Sequence, residues 1–144
     1  MDEYVVDTSI IGQRIILDVH TAHVRTLVKS AAASSIDLYL PEFSRLELIN
    51  IIWKHVRRQT ISARDGEVLI RDVKRLPLKL LSSRQYEAAA FKIGVAHDLA
   101  IYDAIHIAIA HQLRLPLITA DAKQSAAASA EGVELKPITD FAAT

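Results

Sequence analysis

Short apolar runs alternate along the chain with longer stretches whose apolar residues recur at spacings of three and four, the signature of strands interleaved with helices. Tyr4-Val5-Val6 is the first run and ends at Asp7-Thr8-Ser9, where a helical pattern takes over to about Leu17. Val24, Leu27, Val28 and Ala31 mark a second helix from His20 to Ala33, with Ser34-Ser35 as its stop. Ile36 to Leu40 reads as the next strand, closed by Pro41, and Phe43 to about Val56 as a strongly apolar helix. Ser62 with Asp65, and Ser82 with Gln85, have the spacing of capping boxes for helices running to about Arg75 and about Ala96. Leu78 to Leu81 is a short strand between them. The pattern then predicts a helix over roughly Ile101 to Leu113, a strand over Leu115 to Thr119, a small Ala-rich helix over Ala122 to Ala130 and a last edge strand over Val133 to Lys136.

The strands are short, and Tyr4-Val5-Val6 and Leu115 to Ile118 are apolar throughout instead of alternating, so both faces of the sheet are expected to be covered. Together with the strand-helix alternation this predicts an α/β fold, a three-layer α/β/α sandwich with a central parallel sheet. A chain of 144 residues without an internal linker or repeat is expected to be one domain over 1–144.

Composition narrows the function classes. With 51% hydrophobic and 24% charged residues, a disordered or collagenous chain is excluded. The lack of Cys excludes a disulfide scaffold, a thiolate metal site and a cysteine nucleophile, and fits a reducing compartment. No apolar run approaches the roughly 18 to 20 residues of a transmembrane helix, and Met1-Asp2-Glu3-Tyr4 lacks the start of a signal peptide, so a cytoplasmic protein with no membrane partner is expected. Net charge is zero, yet the segment from Lys54 to Arg75 holds seven basic residues against three acidic ones, a local +4. Such a segment is ordinarily a solvated pair of helix faces; a phosphate-bearing partner is the functional alternative.

In an open α/β sheet, ligands bind beyond the carboxyl ends of the strands. Asp7 directly follows the first strand, Asp121 follows the Leu115 to Thr119 strand, Glu47 lies early in the helix after the Ile36 strand, and Asp103 opens the helix leading into the Leu115 strand. The topology therefore brings four acids to one edge. Taken singly, Asp7, Asp103 and Asp121 also suit helix N-caps, and Asp121 has Gln124 three residues on. Glu47 shares a helical stripe with Asn50, Lys54 and Arg58, which is an ordinary polar face as well as a site wall. Taken together, clustered carboxylates raise one another's pKa unless a cation sits among them. Oxygen ligands without Cys or a His pair at helical spacing point to Mg²⁺ or Mn²⁺, ions that commonly serve phosphate chemistry.

These residues carry a resemblance. Val5-Val6-Asp7-Thr8-Ser9, Pro41-Glu42 before Leu46-Glu47-Leu48-Ile49-Asn50, Ile101-Tyr102-Asp103-Ala104 before Ala108-Ile109-Ala110, and Leu115-Pro116-Leu117-Ile118-Thr119-Ala120-Asp121 follow in the order seen in PIN-domain ribonucleases. Within them the chain resembles the VapC-type toxins of bacterial toxin-antitoxin pairs. The resemblance implies a metal-dependent endoribonuclease with Asp7, Glu47, Asp103 and Asp121 as catalytic and metal-holding acids, cutting RNA to leave a 3′-hydroxyl and a 5′-phosphate. Thr8, Ser9, Asn50 and Thr119 flank the acids as supporting residues. Asp98 falls off the motif and reads as a loop or cap residue, and His106 as a packed histidine or a wall of the site. The resemblance also implies a cognate antitoxin and a homodimer, with the helix Phe43 to Val56 and the one after it as contact surfaces and Ile52 and Trp53 as anchors.

Two other readings stand beside this one. A PIN-like scaffold that only binds RNA or protein is countered by the complete set of acids. Another Mg²⁺-dependent phosphoryl-transfer enzyme on a similar sheet would need a second acid beside Asp7, where Thr8-Ser9-Ile10 stands. The isolated glycines exclude GxGxxG and P-loop motifs, and neither G-x-S-x-G nor H-E-x-x-H occurs.

Overall fold

The computed structural model describes residues 1–143. Its elements in chain order are β1 (Asp2–Val6), α1 (Thr8–Ile15), α2 (Thr21–Ala32), β2 (Ile36–Pro41), α3 (Ser44–Arg57), α4 (Ala63–Lys74), β3 (Lys79–Leu81), α5 (Glu87–His97), α6 (Ile101–Leu113), β4 (Leu117–Ile118) and α7 (Ala122–Ala130). One-turn 3-10 helices at Arg84–Tyr86 and Ile138–Asp140 complete the set. The four strands form one parallel sheet in the order β3-β2-β1-β4.

Side chains alternate between the two faces of a strand, and each face of this sheet has its own core. Tyr4, Val6, Leu38, Leu40 and Ile118 point into one cluster, shared with Ile10, Ile11, Val24, Leu27, Leu48 and Ile52 from α1, α2 and α3. Val5 and Leu117 point into the other, with Ala90 and Ile93 of α5, the run Ala104 to Ala110 of α6, and Ala127 and Ala128 of α7. The expected three-layer sandwich is therefore the observed one. Fully burying a Leu or Ile contributes about 1.5 to 3 kcal/mol.

α6 is buried nearly all round from Ala104 to Ala110, as befits a central helix. Its approach to α5 is close: the chain turns through 116° between Arg84–His97 and Ile101–Leu113, and a Cβ at Gly94 would stand 2.8 Å from the Leu99 carbonyl oxygen and 2.9 Å from Ile101 Cδ1. The hinge residue Asp98 takes the left-handed conformation, φ 55°, that closes α5. Among the described residues no single helix is long and apolar enough to cross a membrane.

Three expected elements differ. The strand predicted over Leu115 to Thr119 is confined to Leu117–Ile118. Left-handed Arg114 ends α6, and the Leu115 N–H is spent on the Ala110 carbonyl at 3.0 Å, while Pro116 has no N–H to give. The edge strand predicted over Val133 to Lys136 is reduced to a single parallel bridge, Leu117 to Leu135, between Gly132 at φ 76° and Pro137. The Ser82-Gln85 capping box does not form. Ser82 Oγ accepts from the Arg84 N–H at 3.4 Å, residues 84–86 make a 3-10 turn, and α5 starts only at Glu87. The Ser62 box is realised in its first half, with the Asp65 N–H donating to Ser62 Oγ at 3.0 Å.

Gly94→Ala is expected to destabilise the protein by about 1 to 3 kcal/mol, because backbone sits where the methyl would go. Urea unfolding should show a lowered midpoint with an unchanged slope.

Candidate active site

Asp7 is the first residue beyond β1, and its amide donates to the Ile118 carbonyl at 2.9 Å, so the two central strands fix its backbone. It occupies the cap position of α1 but makes no capping bond. Its carboxylate, 6% exposed, instead accepts from the Ser9 hydroxyl. Glu47 and Asp103 sit in the first turns of α3 and α6. Asp121 is the one acid whose capping role is realised, its Oδ1 accepting the Gln124 N–H at 2.7 Å. Capping therefore leaves Asp7, Glu47 and Asp103 unexplained.

All four acids line a single cleft of about 910 Å³, together with Thr8, Ser9 and Asn50. Thr119 stands behind it: its hydroxyl donates to Gln124 Oε1 at 2.6 Å and accepts the Asp121 N–H at 3.1 Å. Asp98 is outside the cleft and pairs with Lys123 at 3.4 Å.

Burial pushes the Glu47 carboxyl above the ordinary range, the Thr8 hydroxyl pulls it back, and the charges of Asp7 and Asp103 add to the rise. Asp103 is raised first by burial, then by Asp7 and Asp121, with His106 acting in the opposite sense. Among the described residues no Lys or Arg forms an ion pair with any of the four. The site is thus a concentration of negative charge without a basic counter-ion.

Three further polar residues complete the site; Gln124 and Ser44 were not read as part of it from sequence, and His106 was read as a packed histidine or a wall. Gln124, 1% exposed, donates through Nε2 to the Asp103 carbonyl at 2.9 Å while taking up Thr119 and Asp121, so it ties α6 to α7. Its spacing from Asp121 was the available signal. Ser44 is fully buried and hydrogen-bonds Thr8 Oγ1 at 2.9 Å. Ser44 and Glu47 have capping-box spacing, yet no side chain caps α3 and Ser44 turns inward. His106 is also buried, 3.3 Å from Thr8 Oγ1 and 3.9 Å from Asp7 Oδ1. It packs behind the acids and is not a wall of the cleft.

The rest of the lining is largely apolar: Phe43, Leu46, Ile49, Trp53 and Tyr102, with Phe43 and Tyr102 edge to face at 5.2 Å. Ile52 and Trp53, for which contact anchor and plain core are the two readings, separate here. Ile52 points into the core at 2% exposure because it falls on the Leu48 face of α3, whereas Trp53 is 52% exposed. The Arg57 guanidinium lies 5.5 Å from the Trp53 ring centre, and Lys54, Arg57 and Arg58 surround a smaller hollow next to the cleft. The remaining basic residues of the +4 segment are exposed, Arg64, Arg71 and Lys74 on α4 and Arg75 at its C-cap.

Hard oxygen donors at one cleft are the donor set for Mg²⁺ or Mn²⁺. Among the described residues no three of the His, Asp and Glu side chains converge as a finished coordination shell. Mg²⁺ does not need three converging side chains, since it keeps several waters and takes only one or two carboxylates directly.

Residues 4–130 match the family described as PIN domain. Ribonuclease VapC3 of Pyrobaculum aerophilum is 25% identical over 93 residues, 63% of this chain and 71% of its own length. Ribonuclease VapC12 of Mycobacterium tuberculosis is 29% identical over 86 residues, 60% of this chain and 65% of its own. Among solved structures, PAE2754 from Pyrobaculum aerophilum has a TM-score of 0.67 at 21% identity, covering 88% of this chain and 79% of its own. FitAcB from Neisseria gonorrhoeae has a TM-score of 0.62 at 17% identity, covering 92% and 95%. These two likenesses bear on the fold alone.

In metal-free protein, Asp7→Asn should lower the pKa of both Glu47 and Asp103, read from side-chain carboxyl carbons by NMR. Because both groups hold protons more tightly folded than unfolded, metal-free stability should fall as pH rises from the ordinary carboxylate range through the raised values, then level off. Asp7→Asn should flatten that fall in pH-dependent unfolding.

Proposed function

The chain belongs to the PIN-domain family, and from that premise we propose that it is a Mg²⁺- or Mn²⁺-dependent endoribonuclease of the VapC kind, hydrolysing RNA phosphodiesters. The observation that carries the proposal is the set of four carboxylates, drawn from four separate segments to one cleft with no Lys or Arg paired to them among the described residues. A structural role would have paired or capped them, and only Asp121 caps. In this reading Asp7, Glu47, Asp103 and Asp121 hold the ion, and they are the catalytic acids.

When bound, the cation supplies a water of lowered pKa and neutralises charge developing on the phosphoryl oxygens. Asp7 follows directly on β1, and Asp103 lies in the first turn of α6, just before its buried run from Ala104 to Ala110, so both are carried by elements anchored in the core. The Ser9 and Thr8 hydroxyls donate to the Asp7 and Glu47 carboxylates, and Thr119 accepts the Asp121 N–H while its own hydroxyl orients the Gln124 side chain toward the Asp103 carbonyl. Asn50 offers an amide on the cleft wall for water or a phosphate oxygen. Lys54, Arg57 and Arg58 flank the anionic centre, and we assign them phosphate contacts that offset its repulsion of RNA.

The same proposal includes a cognate antitoxin and a homodimer, with the exposed faces of α3 and α4 as the surfaces for protein contact, and a cytoplasmic setting. Exposed Leu46 and Trp53 beside the acids are what a covering protein segment would grip.

Purified protein should cut a labelled single-stranded RNA with Mg²⁺ or Mn²⁺ and not with EDTA, and Asp7→Asn and Asp103→Asn should each lower the rate by at least about 100-fold while remaining folded. Cutting that survives in EDTA or in both variants would sink the assignment. Charge reversal at Arg57 and Arg58 should weaken RNA binding and reduce the slope of log affinity against log salt by about one to two. An unchanged slope would remove these residues from the RNA path.

A further inference from the structure

Ser44, Thr8, Glu47 and His106 share a short chain of hydrogen bonds in which the protons can be counted. His106 Nδ1 lies 3.0 Å from the Tyr102 carbonyl, which can only accept, so Nδ1 carries the imidazole proton and Nε2 presents a lone pair. Burial favours the neutral ring. Nε2 faces Thr8 Oγ1 at 3.3 Å. Thr8 Oγ1 also donates to Glu47 Oε1 at 2.9 Å and lies 2.9 Å from Ser44 Oγ. Ser44 supplies one proton to Thr8, and Thr8 has one proton for two acceptors, Glu47 and His106. Whichever acceptor it serves, the other goes without it.

For Glu47 the alternative is open, since its carboxylate lines the cleft. For His106 it is not: the ring is 1% exposed, and Asp7 Oδ1 at 3.9 Å is beyond hydrogen-bond reach. We infer that His106 is a positioning residue whose Nε2 takes the Thr8 hydroxyl proton when Glu47 turns to a divalent cation, so that Glu47 is released without leaving Thr8 unpaired. The inference rests on the metal-holding role proposed for Glu47. The ring remains neutral and keeps its Tyr102 bond throughout; only the direction of one hydroxyl changes. An apolar residue at 106 would offer Thr8 no second acceptor, so its proton would stay donated to Glu47 Oε1 and lessen the charge that carboxylate can present to a cation.

The test uses the intact protein and Mg²⁺ alone. With ¹⁵N-labelled histidine, and the His106 signal identified by its loss in His106→Leu, saturation with Mg²⁺ should move Nε2 to the position of a hydrogen-bonded, unprotonated nitrogen, and Thr8→Val should abolish the movement. Mg²⁺ titration by calorimetry should show His106→Leu binding about 10- to 100-fold more weakly, with His106→Gln, which keeps an acceptor, restored to within a few-fold. An Nε2 signal that Mg²⁺ leaves in place overturns the inference, even if His106→Leu fails to fold. So does a folded His106→Leu that binds Mg²⁺ as the wild type does. If the wild type binds Mg²⁺ and cuts RNA while His106→Leu is indistinguishable from it, this inference alone falls. If the wild type neither binds Mg²⁺ nor cuts RNA, the metal reading of the acids falls with it.

Discussion

Four carboxylates facing one cleft, with no Lys or Arg paired to them among the described residues, repel one another, and the rest of the molecule has to hold them there against that repulsion. The parallel sheet does most of it. Asp7 is locked between β1 and β4 by a backbone bond to Ile118, and Asp103 is held by a helix whose next seven residues are buried. Charges placed on loops would relax away from each other; charges placed at the ends of buried elements do not have that freedom. Burial then adds to the strain, since it is the leading cause of the raised Glu47 and Asp103 carboxyls. The apolar lining residues Phe43, Leu46, Ile49, Trp53 and Tyr102 lower the local dielectric beside the acids, strengthening both the repulsion and any attraction to a cation.

The layer architecture was legible in the sequence because periodicity reports burial, and burial is what the sheet and its helices share. Val5 and Val6, apolar on consecutive positions, point to opposite cores, which is what a strand covered on both faces requires. Element ends were less legible, because backbone hydrogen bonds decide them. Leu115 is apolar like its neighbours, but its N–H is consumed in closing α6, and nothing in its side chain announces that. Leu135 is likewise a fair strand residue, stranded between a left-handed glycine and a proline with room for one bridge.

The site divides in the same way. The four acids were legible because topology places residues that follow parallel strands at one edge. The polar residues that orient them were not, because Ser44 and Gln124 look like cap residues in the sequence, and Gln124 does receive a cap bond from its own backbone. What distinguishes them is that their side chains are spent across elements, Ser44 from α3 to Thr8 and Gln124 from α7 to Asp103. The neighbours Ile52 and Trp53 separate on the same principle: one step along a helix turns a side chain by about 100°, from the core to the cleft.

The left-handed residues that punctuate the helices have a different consequence. Ser34, Gln59, Asp98 and Arg114 each adopt φ between 55° and 61°, a conformation that glycine holds at no steric cost. For residues bearing a Cβ the cost is about 1 kcal/mol each. Three of the four glycines are used elsewhere, inside helices where Ile51, Val56 and Leu99 press against them. The chain has therefore kept glycine for close packing and accepted strained helix stops. Gln59 and Arg114 are exposed and outside the cleft, so they form a reserve of heat resistance open to engineering without touching the chemistry.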